Sequence, residues 1–228
     1  MSKQITSWSY SRYADYRQCP AKAMYKHVMK LPEPPNPAMA RGTAIHKKAE
    51  DYAKGELKKL PEELGLFKTE FAALRKEKKL YVEEQWAFRS DWTTTQWNNW
   101  SECWVRIKMD AAYINQKYNA LVIIDHKTGK IRDEDKVNYI EALELYSLAG
   151  LKMFPDVELV SPRLWYIDQG VVYPEEDVEY NRDDEARLEK LWNQRVTPML
   201  RDVRFKPTPN AKCCWCAYSA AKGGPCKF

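Results

Sequence analysis

The chain has 228 residues, 44% of them hydrophobic, and its 37 Lys and Arg against 32 Asp and Glu leave a net charge of only +5. That length buries one sizeable core as a single α/β domain, and the near balance of charge permits nucleic-acid binding without requiring it. No run reaches the apolar length of a membrane span and the N-terminus lacks the basic-then-apolar pattern of a secretory leader, so a soluble cytoplasmic protein is expected.

Taken in chain order, Trp8, Tyr10, Tyr13 and Tyr16 predict a short helix with Ser9 or Ser11 as its cap. Cys19-Pro20 suits a proline in a first helical turn, and a second helix is predicted over 21–29. The run from Leu31 to Pro37, rich in proline, is an extended connector. Arg41-Gly42 then opens an amphipathic helix reaching about Lys54, in which Gly42 allows a close backbone approach and His46 follows one turn later. A lone helical histidine is by itself more often structural than a ligand. Residues 62–79 read as a solvated helix, and 81–88 and 91–97 as strands. Strand alternation lets only one of Glu83 and Glu84 point inward. Trp86, Trp92, Trp97, Trp100 and Trp104 read as sheet packing rather than a base-stacking platform, and Cys103 as a core thiol.

A strand over 104–113 carries Asp110, the polar run 115–119 turns the chain, and Leu121-Val122-Ile123-Ile124 is a strand buried on both faces. Asp125 and Lys127 sit at its exit, two residues apart and so on one side, with His126 facing away. If the two strands pair, the carboxylates of Asp110 and Asp125 converge beside a lysine. Such a set can bind a divalent metal for phosphodiester hydrolysis, with Lys127 orienting water or offsetting charge. Residues 133–154 form a helix with an apolar stripe of Ala142, Leu145, Tyr146 and Ala149. Strands over 163–168 and 171–173 flank Gln169-Gly170 as a hairpin, and 183–201 is a further helix. In the tail, Cys213-x-x-Cys216 can chelate one metal and Cys226 can add a third ligand, with Cys19 the natural fourth. Six cysteines in a cytosolic chain favour such uses, or reduced thiols, over disulfides.

Asp110, then a hydrophobic strand ending in Asp125-His126-Lys127-Thr128-Gly129, resembles the signature of the PD-(D/E)XK nucleases, in particular their RecB-like branch. The resemblance covers nearly the whole chain in order: Cys19, Gly42 to His46, Asp110, Asp125 to Lys127, Tyr146 and the cysteine tail. It implies a restriction-endonuclease-like core, a mixed sheet flanked by helices, over a single nuclease domain 1–228. Residues 1–40 would form the N-terminal helices and connector, 41–205 the nuclease core and 206–228 the cysteine-rich tail. It implies Mg²⁺ or Mn²⁺ held by His46, Asp110 and Asp125, catalysis by Asp110, Asp125, Lys127 and Tyr146, and an extra carboxylate from Glu83 or Glu84. The branch usually places a Gln one turn before the tyrosine; here that position is Ala142, leaving Glu141 or Glu144 as partial substitutes.

The resemblance further implies a 4Fe-4S cluster on Cys19, Cys213, Cys216 and Cys226 that joins the chain ends. The gap from Cys216 to Cys226 is longer than the common family spacing, Cys214 is an alternate ligand, and zinc in the same thiolates is the rival. The implied function is a stand-alone DNA exonuclease of the phage or CRISPR-adaptation type, working in DNA recombination, repair or replication with protein partners that the sequence does not identify. The alternatives are a catalytically inactive DNA-binding or structural subunit of a recombination complex and a zinc-stabilised interaction module. The intact set of His46, Asp110, Asp125 and Lys127 favours the enzyme.

Overall fold

The computed structural model describes residues 4–228. Helix α1, Tyr10–Gln18, is capped by Ser9, whose hydroxyl accepts the Arg12 N–H. Cys19 ends it in an extended conformation, and Pro20 starts α2, Pro20–Ala23, which widens into a π-helical turn over Met24–Val28. Helix α3 spans Pro37–Ala53. It begins earlier than Arg41-Gly42 because Asn36 caps the Ala38 N–H and Pro37 supplies a preset φ at the first position. Gly42 therefore lies inside the helix.

The predicted helix over 62–79 is a 3₁₀ segment, Glu62–Phe67, followed by α4, Lys68–Leu74. Among the described residues seven strands form one mixed sheet: β1 Leu80–Phe88, β2 Thr94–Thr95, β3 Val105–Asn115, β4 Ala120–Lys127, β5 Leu159–Tyr166, β6 Val171–Tyr173 and β7 Tyr180–Asn181. The order is β2-β1-β3-β4-β5-β6, with β7 also on β5. All neighbours are antiparallel except β4 and β5, which run parallel and are joined by α5, Lys136–Met153. Helix α6 is Asp184–Arg201. The strand expected over 91–97 shrinks to two residues, since Trp92 turns the chain with a left-handed φ of 62°.

Among the described residues two large cores sandwich the sheet, with a small third cluster of Leu143, Leu164 and Tyr166 beside them. Leu121 and Ile123 of β4 pack with α5 and α6 residues such as Leu145, Leu148 and Trp192, whereas Ile124 packs with Ile45, Phe67 and Phe71 from α3 and its neighbours. Each large side chain fully buried here stabilises the fold by roughly 1.5–3 kcal/mol. Trp86 and Trp92 belong to the first core, as the sheet-packing reading expects; Trp100 does not, being 68% exposed. The tail reaches back to the first helices: Asn210 Nδ2 donates to the Gln18 carbonyl at 3.0 Å and Tyr218 Oη to the Leu31 carbonyl at 3.0 Å. Among the described residues no helix is long and apolar enough to cross a membrane.

Candidate active site

The hairpin of β3 and β4 brings the carboxylates together. Its backbone pairing ends at Ala111 with Ile124, and one step further along that register Asp110 stands opposite Asp125. There the ladder gives way to side-chain chemistry. Asp110 Oδ2 accepts the His126 N–H at 2.6 Å, and its other oxygen meets His46 Nδ1 at 3.0 Å. Asp125 is ion-paired with Lys127 on its own strand, the two side chains sharing one face by their equal parity.

The electrostatics of the site follow from crowding. Burial pushes the Asp110 carboxyl up, but the hydrogen bond from His46, the neighbouring imidazoles and the His126 N–H outweigh it and hold Asp110 well below the usual carboxylate range. Burial raises Asp125, and the Asp110 charge adds to that against the pull of Lys127. Burial lowers Lys127, yet Asp125 and Asp110 together raise it above the ordinary lysine value. His46 is raised by its hydrogen bond to Asp110 against the effect of burial. Two facing carboxylates, one of which resists ionising, form a site whose repulsion a divalent cation relieves, so the donor set fits a hard metal.

Helix α3 delivers His46 through a specific contact. A Cβ at Gly42 would lie 3.2 Å from Thr128 Oγ1, so glycine lets the helix press on the turn that follows β4. Arg41 clamps Asp168 with two hydrogen bonds of 2.6 and 2.9 Å, and Asp168 also accepts the Gly129 N–H at 2.6 Å. Arg41-Gly42 and Thr128-Gly129 thus lock against each other, fixing His46 and Lys127 around the carboxylates.

Comparison with known proteins bears on the family and the fold. The profile of the PD-(D/E)XK nuclease superfamily matches residues 7–221. The chain belongs to the PD-(D/E)XK nuclease superfamily. It is similar to a solved structure from Eubacterium rectale whose name gives it as a candidate exonuclease, with a TM-score of 0.53 and 12% identity over 93% of this chain and 87% of that one. At that identity the likeness bears on the fold alone. The solved structure of SSO0001 is similar at 16% identity and a TM-score of 0.48, over 100% of this chain and 90% of that one. No curated protein matches the chain.

Within this superfamily member the expected metal ligands are not all equally placed. Among the described residues the side chains gathered within 4.8 Å of one another are His46, Asp110 and His126. Asp125 stands outside that trio because its carboxylate is turned to Lys127. Sequence reading sets His126 aside as facing away. Its ring does pack on the second core, against Phe71 and Trp165, but its Nδ1 lies 3.9 Å from Asp110 Oδ2. Burial, with Asp110 opposing it, pushes His126 down to about 4, so the ring is neutral. No sequence signal marks it, since the contact depends on the Asp110 side chain accepting the His126 N–H.

The remaining candidates are placed as follows. Tyr146 of α5 is half-buried and lines a cleft together with Lys127, Lys108 and Arg106. Burial and the charges of Asp125 and Asp110 raise its hydroxyl well above the ordinary tyrosine value. Of the two glutamates, Glu84 is exposed and Glu83 is ion-paired with the cleft residue Lys108. A left-handed φ of 59° at Glu83 interrupts the alternation of β1, so periodicity there is a poor guide to facing. Neither expected substitute for the missing Gln is free. Glu141 bonds Arg17 at 2.5 Å and Glu144 bonds Arg195 at 2.5 Å, while Ala142 is buried.

The cysteines are free thiols. Cys19, Cys213, Cys216 and Cys226 line one small cavity with Tyr25 and Tyr218 between them, and the Thr208 N–H points at Cys19 Sγ at 3.4 Å. Among the described residues no three of the sulfurs are gathered within 4.8 Å. Cys214 is exposed and absent from that cavity's lining. Cys103 is buried, as a core thiol should be.

Proposed function

We propose that the protein is a divalent-metal-dependent deoxyribonuclease that degrades DNA from an end. The observation that carries it is the convergence of Asp110, Asp125 and Lys127 at adjacent ends of β3 and β4, with His46 bonded across them from α3. Asp110, Asp125 and His46 would hold Mg²⁺ or Mn²⁺. A cation so held polarises the phosphate and lowers the pKa of an attacking water. Lys127, kept protonated by the two carboxylates, orients that water and offsets charge developing on the phosphate. Tyr146 keeps its proton, which leaves its hydroxyl a donor for a phosphate oxygen in the cleft. The test is a time course on end-labelled single-stranded, blunt duplex and circular DNA with Mg²⁺ or Mn²⁺. Loss of linear DNA with survival of circles is expected, and absence of any metal-dependent cleavage would overturn the reading.

A cysteine-held centre belongs to the same proposal. Four thiols from opposite ends of the chain line a single cavity, and they would hold a 4Fe-4S cluster, with structural Zn²⁺ the rival. A single zinc ion with Zn–S bonds of about 2.3 Å needs its sulfurs drawn closely together. The wider spread of the sulfurs here favours the larger group. Its role is structural, since none of these thiols lines the cleft of Lys127 and Tyr146.

A further inference from the structure

The cleft of about 470 Å³ that contains Lys127 and Tyr146 is also lined by Arg12, Trp97 and Arg106. Arg106 and Asp110 are four residues apart on β3, roughly 13 Å of strand. The two arginines are unusual in their surroundings. Among the described residues the Arg12 guanidinium bonds only to Ser7, through its carbonyl at 2.8 Å and its hydroxyl at 3.0 Å, and Arg106 Nε bonds to Cys103 Sγ at 3.1 Å. Among the described residues neither has a carboxylate at ion-pair distance, and Arg106 Nη2 is buried without a hydrogen-bond partner. Burial and the Arg106 charge both press the Arg12 guanidinium down. Two half-buried like charges with no counter-ion are costly in the free protein and are relieved by a phosphate, which guanidinium groups bind in a fork.

Aromatic rings complete the arrangement. The Arg106 guanidinium lies 3.5 Å from the Trp100 ring centroid and 5.2 Å from that of Trp97. Trp100 is 68% exposed, so the indole that covers the arginine still offers a face to solvent. A large exposed indole over a basic cleft is what an unpaired base stacks on, and a base inside a duplex has no free face to give it. Among the described residues the acids ion-paired to this cleft's lining are Asp125, on Lys127, and Glu83, on Lys108, so neither arginine is neutralised.

We infer that this cleft seats an unpaired DNA strand, with Arg12 and Arg106 holding a phosphate beside the scissile one and Trp100 stacking on a base. The inference rests on the nuclease reading for the position of the scissile phosphate. The experiment measures binding of fluorescein-labelled oligothymidylate to wild-type protein, Trp100→Ala, Trp100→Phe and Arg106→Gln in EDTA, where nothing is cleaved. Trp100→Ala should weaken binding about tenfold, with Trp100→Phe restoring most of it. On an abasic strand or a blunt duplex Trp100→Ala and wild type should bind alike. Arg106→Gln should lower the slope of log affinity against log salt by about 0.7. Wild-type affinity in both Trp100→Ala and Arg106→Gln, or equal weakening of Trp100→Ala on abasic and normal strands, overturns the inference. A parallel cleavage assay with Mn²⁺ keeps the two readings apart. Wild type that cleaves but is indifferent to both substitutions leaves the nuclease standing without this strand site, whereas the expected binding losses without cleavage leave the strand site and remove the nuclease.

Discussion

The Asp110 carboxylate accepts the backbone N–H of His126 at 2.6 Å, replacing a main-chain rung just beyond the last β3–β4 pair. One side chain thus closes the hairpin and faces the proposed metal. Asp110→Asn keeps an oxygen for the His126 N–H but loses the charge, so cleavage should fall about 100-fold or more, with a stability cost confined to the lost pairing with His46. Asp110→Ala should lose the same activity and a further 1–3 kcal/mol or so of stability, because a half-buried N–H is left unpaired. Urea unfolding of both variants checks this; equal stability would show that the carboxylate does not hold the rung.

Metal binding should be visible without any substrate. Mn²⁺ at about 100 times its dissociation constant should stabilise the wild type by about 2.7 kcal/mol relative to EDTA. Asp125→Asn and His46→Ala should each shift the titration to higher metal, and for His46→Ala the loss should be greater with Mn²⁺ than with Mg²⁺, since imidazole suits the harder ion less. A thermal melt across a metal series reads this directly, and an unchanged midpoint in His46→Ala would return that residue to packing.

Gly150 marks where α5 lies closest to the sheet. A Cβ there would come within 2.8 Å of Leu121 Cδ2, 3.1 Å of Ile123 Cδ1 and 3.3 Å of Val160 Cγ2. Alanine would ordinarily favour a helix interior by nearly 1 kcal/mol. Overpacking of three core methyls should win, giving Gly150→Ala a net loss of about 1–2 kcal/mol in chemical denaturation. A stabilised variant would mean that the sheet yields freely to α5.

Acid stability should depend on Asp15. Burial raises its carboxyl, but hydrogen bonds from His27 and Lys22 and the charges of Lys22 and Lys26 prevail and hold it well below the ordinary range. A depressed folded-state pKa adds stability above the unfolded value near 3.9 and gives it up as the pH falls below that. Asp15→Asn should therefore be less stable than wild type by about 1–3 kcal/mol at neutral pH, with the gap closing as pH drops below about 4. A gap independent of pH would assign the effect to hydrogen bonding alone.

Cys19→Ala tests the shared cysteine centre. Metal content and melting temperature should fall together, with cleavage affected only through the fold. Brown, iron-containing protein from anaerobic purification would select the cluster, and colourless protein with stoichiometric zinc its rival. Unchanged melting of metal-free Cys19→Ala protein would remove the centre.

Much of the site was legible because it lies on regular strands. Leu121 to Lys127 alternates as a pleat must, which is enough to pair Asp125 with Lys127, and Ser9 and Pro20 mark helix starts by local chemistry. Failures of the reading cluster where local geometry departs from its period. Asn36-Pro37 starts a helix inside a proline-rich run because a cap and a preset φ outweigh the composition around them. At Glu83 a left-handed residue breaks the alternation that would have chosen between the glutamates. The nearness of His126 to Asp110 depends on a side chain replacing a backbone rung, which no period encodes. Trp100 has the composition of a core residue and the position of a surface one, a distinction that only tertiary structure draws.

The contacts of Asn210 with Gln18 and of Tyr218 with Leu31 also impose an order on biosynthesis. A chain emerging from the ribosome presents its first helices long before their partners have been translated. Helix α1 can meet α5 through Arg17 and Glu141 before the last strands are made, but its contacts with the tail close last, and so distant a closure makes final docking a slow step. Any centre assembled on Cys19 and the tail thiols would be loaded only after that docking, so its insertion would report that the tail has reached the first helices.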